Sequence, residues 1–453
     1  MSSSGGSITP AEAGRLAIRT ALSGPAGGVA GAFALARWAG FDRIITFDMG
    51  GTSTDAALCP GRILERDESQ VGGAPIRGPT VDVLSVGAGG GSLARIDAGG
   101  ALRVGPESAA ADPGPACYGR GQEPAVTDAH VALGRIRPEH FLGGRMEIHP
   151  SLSLKALARI AGPFGGDPRR AAAAVLRVAN ANMERALRVV SVERGFDPRG
   201  FTLVAFGGAG PLHACDLAEA LRIPRVLVPP HPGVLSALGM AAAPIIKDLT
   251  ASVLQLIAPA EAADGFSLPN ESPESGRQRL ERIRQELESR GREELAAEGF
   301  SLDGLTVQTT LDMRYAGQSY ELPVPVQSLD PARFVPLFHA THHQRYGHSD
   351  DSRPVEAVNL HVKLVLPAPA AAAPPSPAST PRTDQPSAVT RHEVWFDGEA
   401  EETPFYGRSA LLPGQTVSGP AVVNQMDTTT IIARGWRAEV DSFGNLVIGR
   451  KRA

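Results

Sequence analysis

Cysteine is nearly absent from this chain of 453 residues. Cys59, Cys117 and Cys215 are odd in number and far apart, which excludes a disulfide framework. Positive charge is not in excess either: 44 Lys and Arg stand against 48 Asp and Glu, for a net charge of −4 with the signs interspersed. Such a chain has neither the basic footprint of a nucleic-acid binder nor a polybasic membrane anchor. No run approaches the roughly 18 apolar residues of a membrane span, and the opening MSSSGGSITPAEAGRL carries no signal-peptide pattern. A cytoplasmic protein is expected. Several signatures of catalysis are missing as well: there is no GxSxG elbow, no HExxH zinc helix and no Walker A loop.

Glycine and proline are what the sequence has in quantity, 51 and 38 residues against only 5% aromatics. The glycines are clustered, in SGPAGGVAGA, FDMGGTSTD, SVGAGGGSLARIDAGGALRVG and AFGGAGPLHA. Clusters of this kind after strands mark places where backbone must approach something closely. The chain is too long for one core, and two to four domains are expected.

Periodicity places the clusters. A glycine-rich turn over residues 23–28 leads into a small-residue helix ending at Gly40. Strand 44–47 then runs into the turn DMGGTSTD and returns as AALCPGRIL. Short strands alternate with glycine turns over residues 80–104. AAAAVLRVANANMERALRVVSVERG is the clearest helix, with Val175, Leu176, Ala179, Met183, Leu187 and Val190 on one face. Strand FTLVAF, a glycine turn, a helix over about 211–221 and strand RVLVPP complete a β-turn-α-β order, which predicts an α/β domain with ligands at the strand carboxyl ends. Beyond about residue 250 the character changes. RQRLERIRQELESRGREEL is a charged amphipathic helix with Leu280, Ile283 and Leu287 on one side. LTVQTTLDMRYAGQSYELPVPV alternates as strands do. Seven prolines among small residues over 367–386 read as a mobile linker, and the last sixty or so residues as a small β-rich unit.

The turn at the end of strand 44–47 concentrates chemistry. Its glycines bring backbone N–H groups close to a ligand, Thr52 and Thr54 add hydroxyl donors, and Asp48 and Asp55 add carboxylates. The donors suit phosphate oxygens, whereas the carboxylates repel them unless Mg2+ or its waters intervene. Two aspartates and two threonines around a glycine pair are more than a tight turn requires. The second turn, AFGGAGPLHA, either receives an anion at its helix start or is simply a close strand–helix packing turn.

Together with GGGSLARIDAGGALRVGPESAAADPGPACYG, PAVTDAHVALGRI, FLGG, RYAGQSYEL, RYGH, PVEAVNL and GPAVVNQMDTTTI, these stretches resemble the hydantoinase A / 5-oxoprolinase family over nearly the whole chain. The resemblance implies an α/β fold of the actin-like ATPase type (the sugar kinase and Hsp70 superfamily) over residues 1–250; the residues beyond are expected to form an α+β region over 251–366, a Pro/Ala-rich linker over 367–390 and a β-rich unit over 391–453. It also implies ATP and Mg2+ and the ATP-dependent opening of a cyclic amide or imide, or ATP-dependent carboxylation in related complexes. A hydantoinase B-type subunit is the usual companion, and the alternative to a catalytic chain is a non-catalytic assembly subunit that scaffolds such a partner. Asp48, Gly50, Gly51, Thr52, Thr54 and Asp55 match the family's second phosphate loop. Gly207, Gly208 and Gly210 match its adenosine-side turn, with His213 just inside the helix. Complete members carry an earlier loop of the same kind, and this sequence has one. The actin-like domain is therefore expected to be incomplete at its N-terminus. Residues 1–110 are expected to dock an upstream fragment carrying the other loop, or a second copy in a homo-oligomer.

A structural Zn2+ site is the remaining candidate. Asp112 and Cys117 share a proline-rich loop, and His140 and His149 flank FLGG, with His130 as a substitute ligand. These residue types suit tetrahedral zinc, although the spacing is looser than in a finger. In FHATHHQRYGH, His339 and His343 fall on one helical face. With no glutamate between them, a solvated amphipathic helix is expected.

Overall fold

The computed structural model describes residues 1–71, 73–257, 273–367 and 384–450. Most of the expected linker, residues 368–383, lies outside the described residues. The chain divides into two compact units. The first comprises Met1–Gly5, Ala17–Ala243 and the described part of Ala371–Ala453, and the second comprises Gly6–Leu16 and the described part of Pro244–Ala370.

An eight-stranded sheet organises the first unit, in the order Thr416–Ser418, Trp436–Val440, Leu446–Arg450, Arg225–Val228, Thr202–Phe206, Arg43–Met49, Thr54–Pro60, Leu84–Val86. Strand Arg43–Met49 returns antiparallel as Thr54–Pro60, with Asp48 opposite Asp55 and Met49 opposite Thr54. On its other side it pairs in parallel with Thr202–Phe206, which pairs in parallel with Arg225–Val228. Both Ile44–Phe47 and Thr202–Phe206 are buried throughout, as near-continuous apolar runs require when both faces of a sheet are covered. Helix Pro168–Val190 covers one face, and all six residues of the expected stripe are buried. The mixed α/β class expected from the sequence is what forms.

Glycines decide the packing of helix Ser23–Trp38. The stretch 23–28, expected as a turn, is helical. A Cβ on Gly27 would lie 2.8 Å from the carbonyl oxygen of Ser236, and one on Gly31 would lie 2.7 Å from that of Leu235. Gly239 of helix Leu235–Ala241 sits opposite, where a Cβ would come within 1.9 Å of the carbonyl oxygen of Gly27. The glycines are there for backbone-to-backbone contact between two helices, and an isolated turn signal cannot be told from that by sequence.

The residues expected as a separate C-terminal unit, 391–453, are, as far as they are described, instead built into the first. Strands Thr416–Ser418, Trp436–Val440 and Leu446–Arg450 extend the large sheet, and Trp436 and Ile448 share one core with Ile45 and Phe47. Strands Thr390–Phe396, Glu399–Gly407, Ala421–Asn424 and Thr429–Ile432 form a second, four-stranded sheet in the same unit. A sixty-residue β-segment buries too little surface alone, and joining an existing sheet both satisfies its edges and enlarges the core.

The second unit is an antiparallel sheet ordered Ile245–Ile257, Val355–Leu366, Thr306–Tyr315, Leu322–Val326, with helices Pro273–Ala297 and Pro331–Tyr346. Its first strand recruits the segment 6–16, which was expected with the N-terminal domain. Ser7 bridges to Ile245, and the buried ammonium of Lys247 is held by Glu12 at 3.0 Å, Glu294 at 2.9 Å and Glu298 at 3.1 Å. Three carboxylates around one desolvated lysine compensate a charge that could not be buried unpaired. In helix Pro331–Tyr346, expected to be solvated, Phe334, Phe338 and His342 are buried, and His339 Nδ1 lies 2.8 Å from the hydroxyl of Tyr315.

Candidate functional site

Three neighbouring parallel strands, Arg225–Val228, Thr202–Phe206 and Arg43–Met49, end on the same edge of the sheet. Such an edge is where open α/β sheets present ligand-binding loops. The glycine turns expected from the sequence meet there. After Met49 the chain turns at Gly50 and Gly51, and Gly50 N–H donates to Ser53 O at 3.1 Å. A Cβ on either glycine would meet nothing within 4 Å, so the turn faces open space. After Phe206, Gly207 adopts φ +79° and packs against the first turn, and Ala209 N–H donates to Met49 O at 2.9 Å.

A third glycine loop supports the first from below. Gly90 N–H donates to Gly50 O at 3.0 Å and Gly91 N–H to Gly51 O at 2.6 Å. A Cβ on Gly89 would fall 2.6 Å from the backbone of Gly51 and Thr52. Thr127 fixes this loop in turn, its backbone N–H and its hydroxyl both donating to Gly90 O, at 2.7 and 2.8 Å. Residues 89–91 and Thr127 were not singled out by sequence reasoning, although the run GAGGGS was the available signal.

The C-terminal segment closes the site. Thr428 hydroxyl reaches Gly208 O at 3.0 Å, Gln425 Nε2 donates to Pro230 O at 2.5 Å, and Gly233 N–H donates to the Asp427 carboxylate at 2.8 Å. Residues 425–429 thus face Gly50, Gly51, Gly90 and Gly208 across a cavity of about 230 Å3, whose far wall includes Tyr118, Phe141 and Leu212. A wider groove of about 920 Å3, around Arg222, Trp436 and Arg450, lies at the opposite ends of the strands, away from every glycine turn.

Not all expected donors face this space. Thr52 is exposed, but Thr54 is fully buried and gives its hydroxyl to Ala88 O at 2.5 Å, so it braces the hairpin. Asp48 and Asp55 stand side by side. Burial, and after it the charge of Asp55, pushes the Asp48 carboxyl up to about 6, while the Ser236 hydroxyl at 3.5 Å acts the other way. Burial also raises Asp55, against a hydrogen bond from Ser85. A pair of carboxylates held up in this manner fits a divalent cation, which would relieve both the repulsion and the loss of hydration.

His213 does not face the turns. It is buried, with Nε2 3.1 Å from Nε2 of His130 and Nδ1 2.6 Å from the side-chain oxygen Oδ1 of Asn180. Burial pushes it down to about 3, so it stays neutral.

The expected Zn2+ site is corrected by the structure. Among the described residues no group of three or more His, Cys, Asp or Glu is arranged to hold a metal. Asp112 is exposed and pairs with Arg120 at 3.2 Å, His140 borders the cavity, and His149 lies near Glu147 at 3.8 Å. The Cys117 loop is organised by Asp128 instead. That buried carboxylate accepts N–H bonds from Ala116, Cys117 and Ala125 at 2.8–2.9 Å, and the Ser153 hydroxyl at 2.7 Å. Burial, followed by the charge of Asp128, raises the Cys117 thiol far above its ordinary value, the opposite of what a thiolate ligand needs. Cys59 and Cys215 are also buried, and both are pushed up to about 12. A disulfide-exchange reagent added to the native protein should therefore find no fast-reacting thiol, and should find three after denaturation. Rapid reaction of one native cysteine would contradict this account of Cys117.

Comparison with known proteins places this architecture. The sequence profile described as Hydantoinase/oxoprolinase matches residues 1–249, and that of the Hydantoinase/oxoprolinase C-terminal domain matches residues 269–447. The chain is 37% identical to an uncharacterized protein of Methanocaldococcus jannaschii over 94% of its own length and 62% of that protein's. It is 34% identical to the caprolactamase subunit alpha of Pseudomonas jessenii over 94% of its length and 61% of that subunit's. A nucleotide-free structure of acetone carboxylase superposes with a TM-score of 0.84 at 28% identity, covering 100% of this chain and 64% of that one. The chain thus spans less than two thirds of the length of these relatives. With its glycine turns, its closing C-terminal segment and both profiles in register, it belongs to the hydantoinase/oxoprolinase family.

Proposed function

We propose that this chain is the nucleotide-handling part of an ATP-dependent amidohydrolase that opens a cyclic amide or imide. The observation that carries the reading is the Asp48–Asp55 pair beside the open glycine turn at the strand carboxyl ends. In this reading the turn at Gly50, Gly51 and Thr52 holds phosphate oxygens. Gly207, Gly208 and Gly210 lie on the adenosine side, and Asp48 and Asp55 hold Mg2+. The cation supplies charge neutralisation of the transferring phosphoryl group. The amide oxygen attacks the γ-phosphorus as the bond to ADP breaks. Water then adds to the activated carbon and the ring C–N bond breaks with the amine leaving. A second water hydrolyses the acyl phosphate to carboxylate and phosphate. Backbone N–H groups in place before the reaction suit the charge that develops on the oxygens.

Membership of a family that includes the caprolactamase subunit supports partner subunits. A hydantoinase B-type chain is the first candidate, together with a fragment supplying a further phosphate loop or a second copy of this chain, docked against residues 1–110. A cytoplasmic setting is part of this proposal; among the described residues no helix is long and apolar enough to cross a membrane. Likeness to acetone carboxylase over the whole chain favours one alternative, ATP-dependent carboxylation. ATP turnover by the chain, alone and with candidate partners, separates the readings. Stimulation by a lactam or imide with ring-opened product supports the first. Turnover that needs bicarbonate and a ketone supports the second. Full substrate-coupled turnover by the isolated chain would overturn the requirement for partners.

A further inference from the structure

Among the residues that line the cavity, one carries a buried polar atom with no hydrogen-bond partner among the described residues. It is Nδ1 of His130, a residue 1% exposed on helix Val126–Ala132. The hydrogen-bond chain behind it assigns its state. Asn180 donates Nδ2–H to Asp216 at 3.0 Å, which turns the amide oxygen toward His213. His213 must therefore carry its proton on Nδ1, leaving Nε2 as an acceptor. His130, 3.1 Å away, must in turn donate through its own Nε2–H. Only a lone pair remains on His130 Nδ1. Burial, then the neighbouring His213, then Arg135, keeps this imidazole neutral, so the lone pair is not lost to protonation.

A buried acceptor of this kind calls for a donor, because leaving it unpaired costs on the order of 1–3 kcal/mol. The cavity wall tells which end of a ligand supplies it. Thr127, one helical turn before His130, is bonded to Gly90, and Gly90 to Gly50, so the helix that carries His130 is tied to the glycine turn. Tyr118, Ile136 and Leu212 give the same wall an apolar surface. We propose that His130 Nδ1 accepts the ring N–H of a cyclic amide, positioning it with its carbonyl oxygen toward the Gly50–Gly51 turn. His130 is then a specificity residue, and Asn180, His213 and Asp216 are the positioning residues that set its tautomer. The inference rests on the functional reading above.

Two measurements test it, and the first does not depend on turnover. The chain labelled with 15N-histidine is titrated with 2-pyrrolidinone, with N-methyl-2-pyrrolidinone and with ADP, and the His130 signal is identified from the His130→Gln variant. The expected result is an upfield movement of Nδ1 with 2-pyrrolidinone alone. No movement, or equal movement with the N-methyl compound or ADP, overturns the proposal and leaves a bound water as the partner of Nδ1. In the assembly with its partners, His130→Asn, which keeps an acceptor near the Nδ1 position, should hold KM for the lactam within about threefold. His130→Gln, which does not, should raise it about tenfold with KM for ATP unchanged. Equal effects of the two variants, or a shift in the KM for ATP, would also overturn it. If the wild-type assembly opens no cyclic amide at all, the functional reading fails, and the 15N titration still decides the role of His130.

Discussion

Replacing Asp48 with asparagine is expected to lower kcat of the assembled enzyme by at least ~100-fold and, at the same time, to stabilise the nucleotide-free chain. The loss follows from the proposed cation: one carboxylate of two cannot hold Mg2+ against water as the pair does. The gain follows from linkage. The Asp48 carboxyl lies at about 6 when folded and 3.8 otherwise, so between those values the folded chain binds more protons than the unfolded one. Stability therefore falls as the pH rises through the window from about 4 to 6, and the full penalty, about 3 kcal/mol, applies above it. Asparagine has no charge to bury. Its Tm should exceed that of the wild type by about 5 °C at pH 7.5 and by nothing near pH 4. Mg2+ with ATP should then raise Tm of the wild type and leave the variant unmoved. Thermal melts across pH, with and without Mg·ATP, make the check. A variant that is less stable than the wild type at pH 7.5 and retains activity would show that the two aspartates only build a hairpin. Asp55→Asn should follow it in activity, with a smaller stability gain because the hydrogen bond from Ser85 already offsets part of the cost of burying the Asp55 charge.

Gly207→Ala is expected to be the most disruptive single methyl at the site. The residue sits at φ +79°, where an L side chain costs roughly 1–2 kcal/mol. Its Cβ would also lie 2.4 Å from an oxygen of Asp48 and 2.5 Å from Met49 O, both at the end of the neighbouring strand. The Asp48 carboxylate can turn aside only by leaving its place beside Asp55, and the Met49 carbonyl is backbone at the end of a strand paired with Thr202–Phe206. A total loss of about 3–5 kcal/mol is expected, together with loss of ATP binding, measured by denaturant unfolding and by calorimetry with ATP. Gly208→Ala is the control, since its Cβ would approach nothing closer than 3.7 Å. It should cost less than about 1 kcal/mol in stability, and any effect on ATP binding would then report the ligand space directly. Equal stability of the two variants would contradict the close approach of the strand ends.

The hairpin around the phosphate turn was legible because its signals are local. The strand-forming Ile44, Ile45, Thr46 and Phe47, the glycine pair and the returning AALC fix a strand, a turn and a strand, and Asp48 faces Asp55 as that order demands. The helix over 168–190 was legible through its 3.6-residue stripe, which survives burial unchanged. Zinc was misread because Cys117, Asp112, His140 and His149 are compatible in type. What decided the loop was Asp128, a helix residue whose carboxylate collects three backbone N–H groups. That role has no sequence signature, since it depends on where the loop folds back.

By itself the sequence determined the α/β class, the glycine turns after strands Arg43–Met49 and Thr202–Phe206, the amphipathic helices and the family. The first three rest on composition and short-range pattern, which neighbouring residues carry with them, and the family on the resemblance of its long motifs. Only the tertiary structure decided that strands Thr416–Ser418, Trp436–Val440 and Leu446–Arg450 complete the first sheet, that segment 6–16 joins the second unit through Ser7 and Glu12, and that Thr54 braces while Thr52 faces out. It alone brought His130 and His213, eighty-three residues apart, within 3.1 Å and left Nδ1 of His130 without a partner among the described residues. The physical reason is common to all of these. Each depends on which partner satisfies a buried polar group or an open strand edge, and that partner is supplied by the folded chain from a distance that no local pattern encodes.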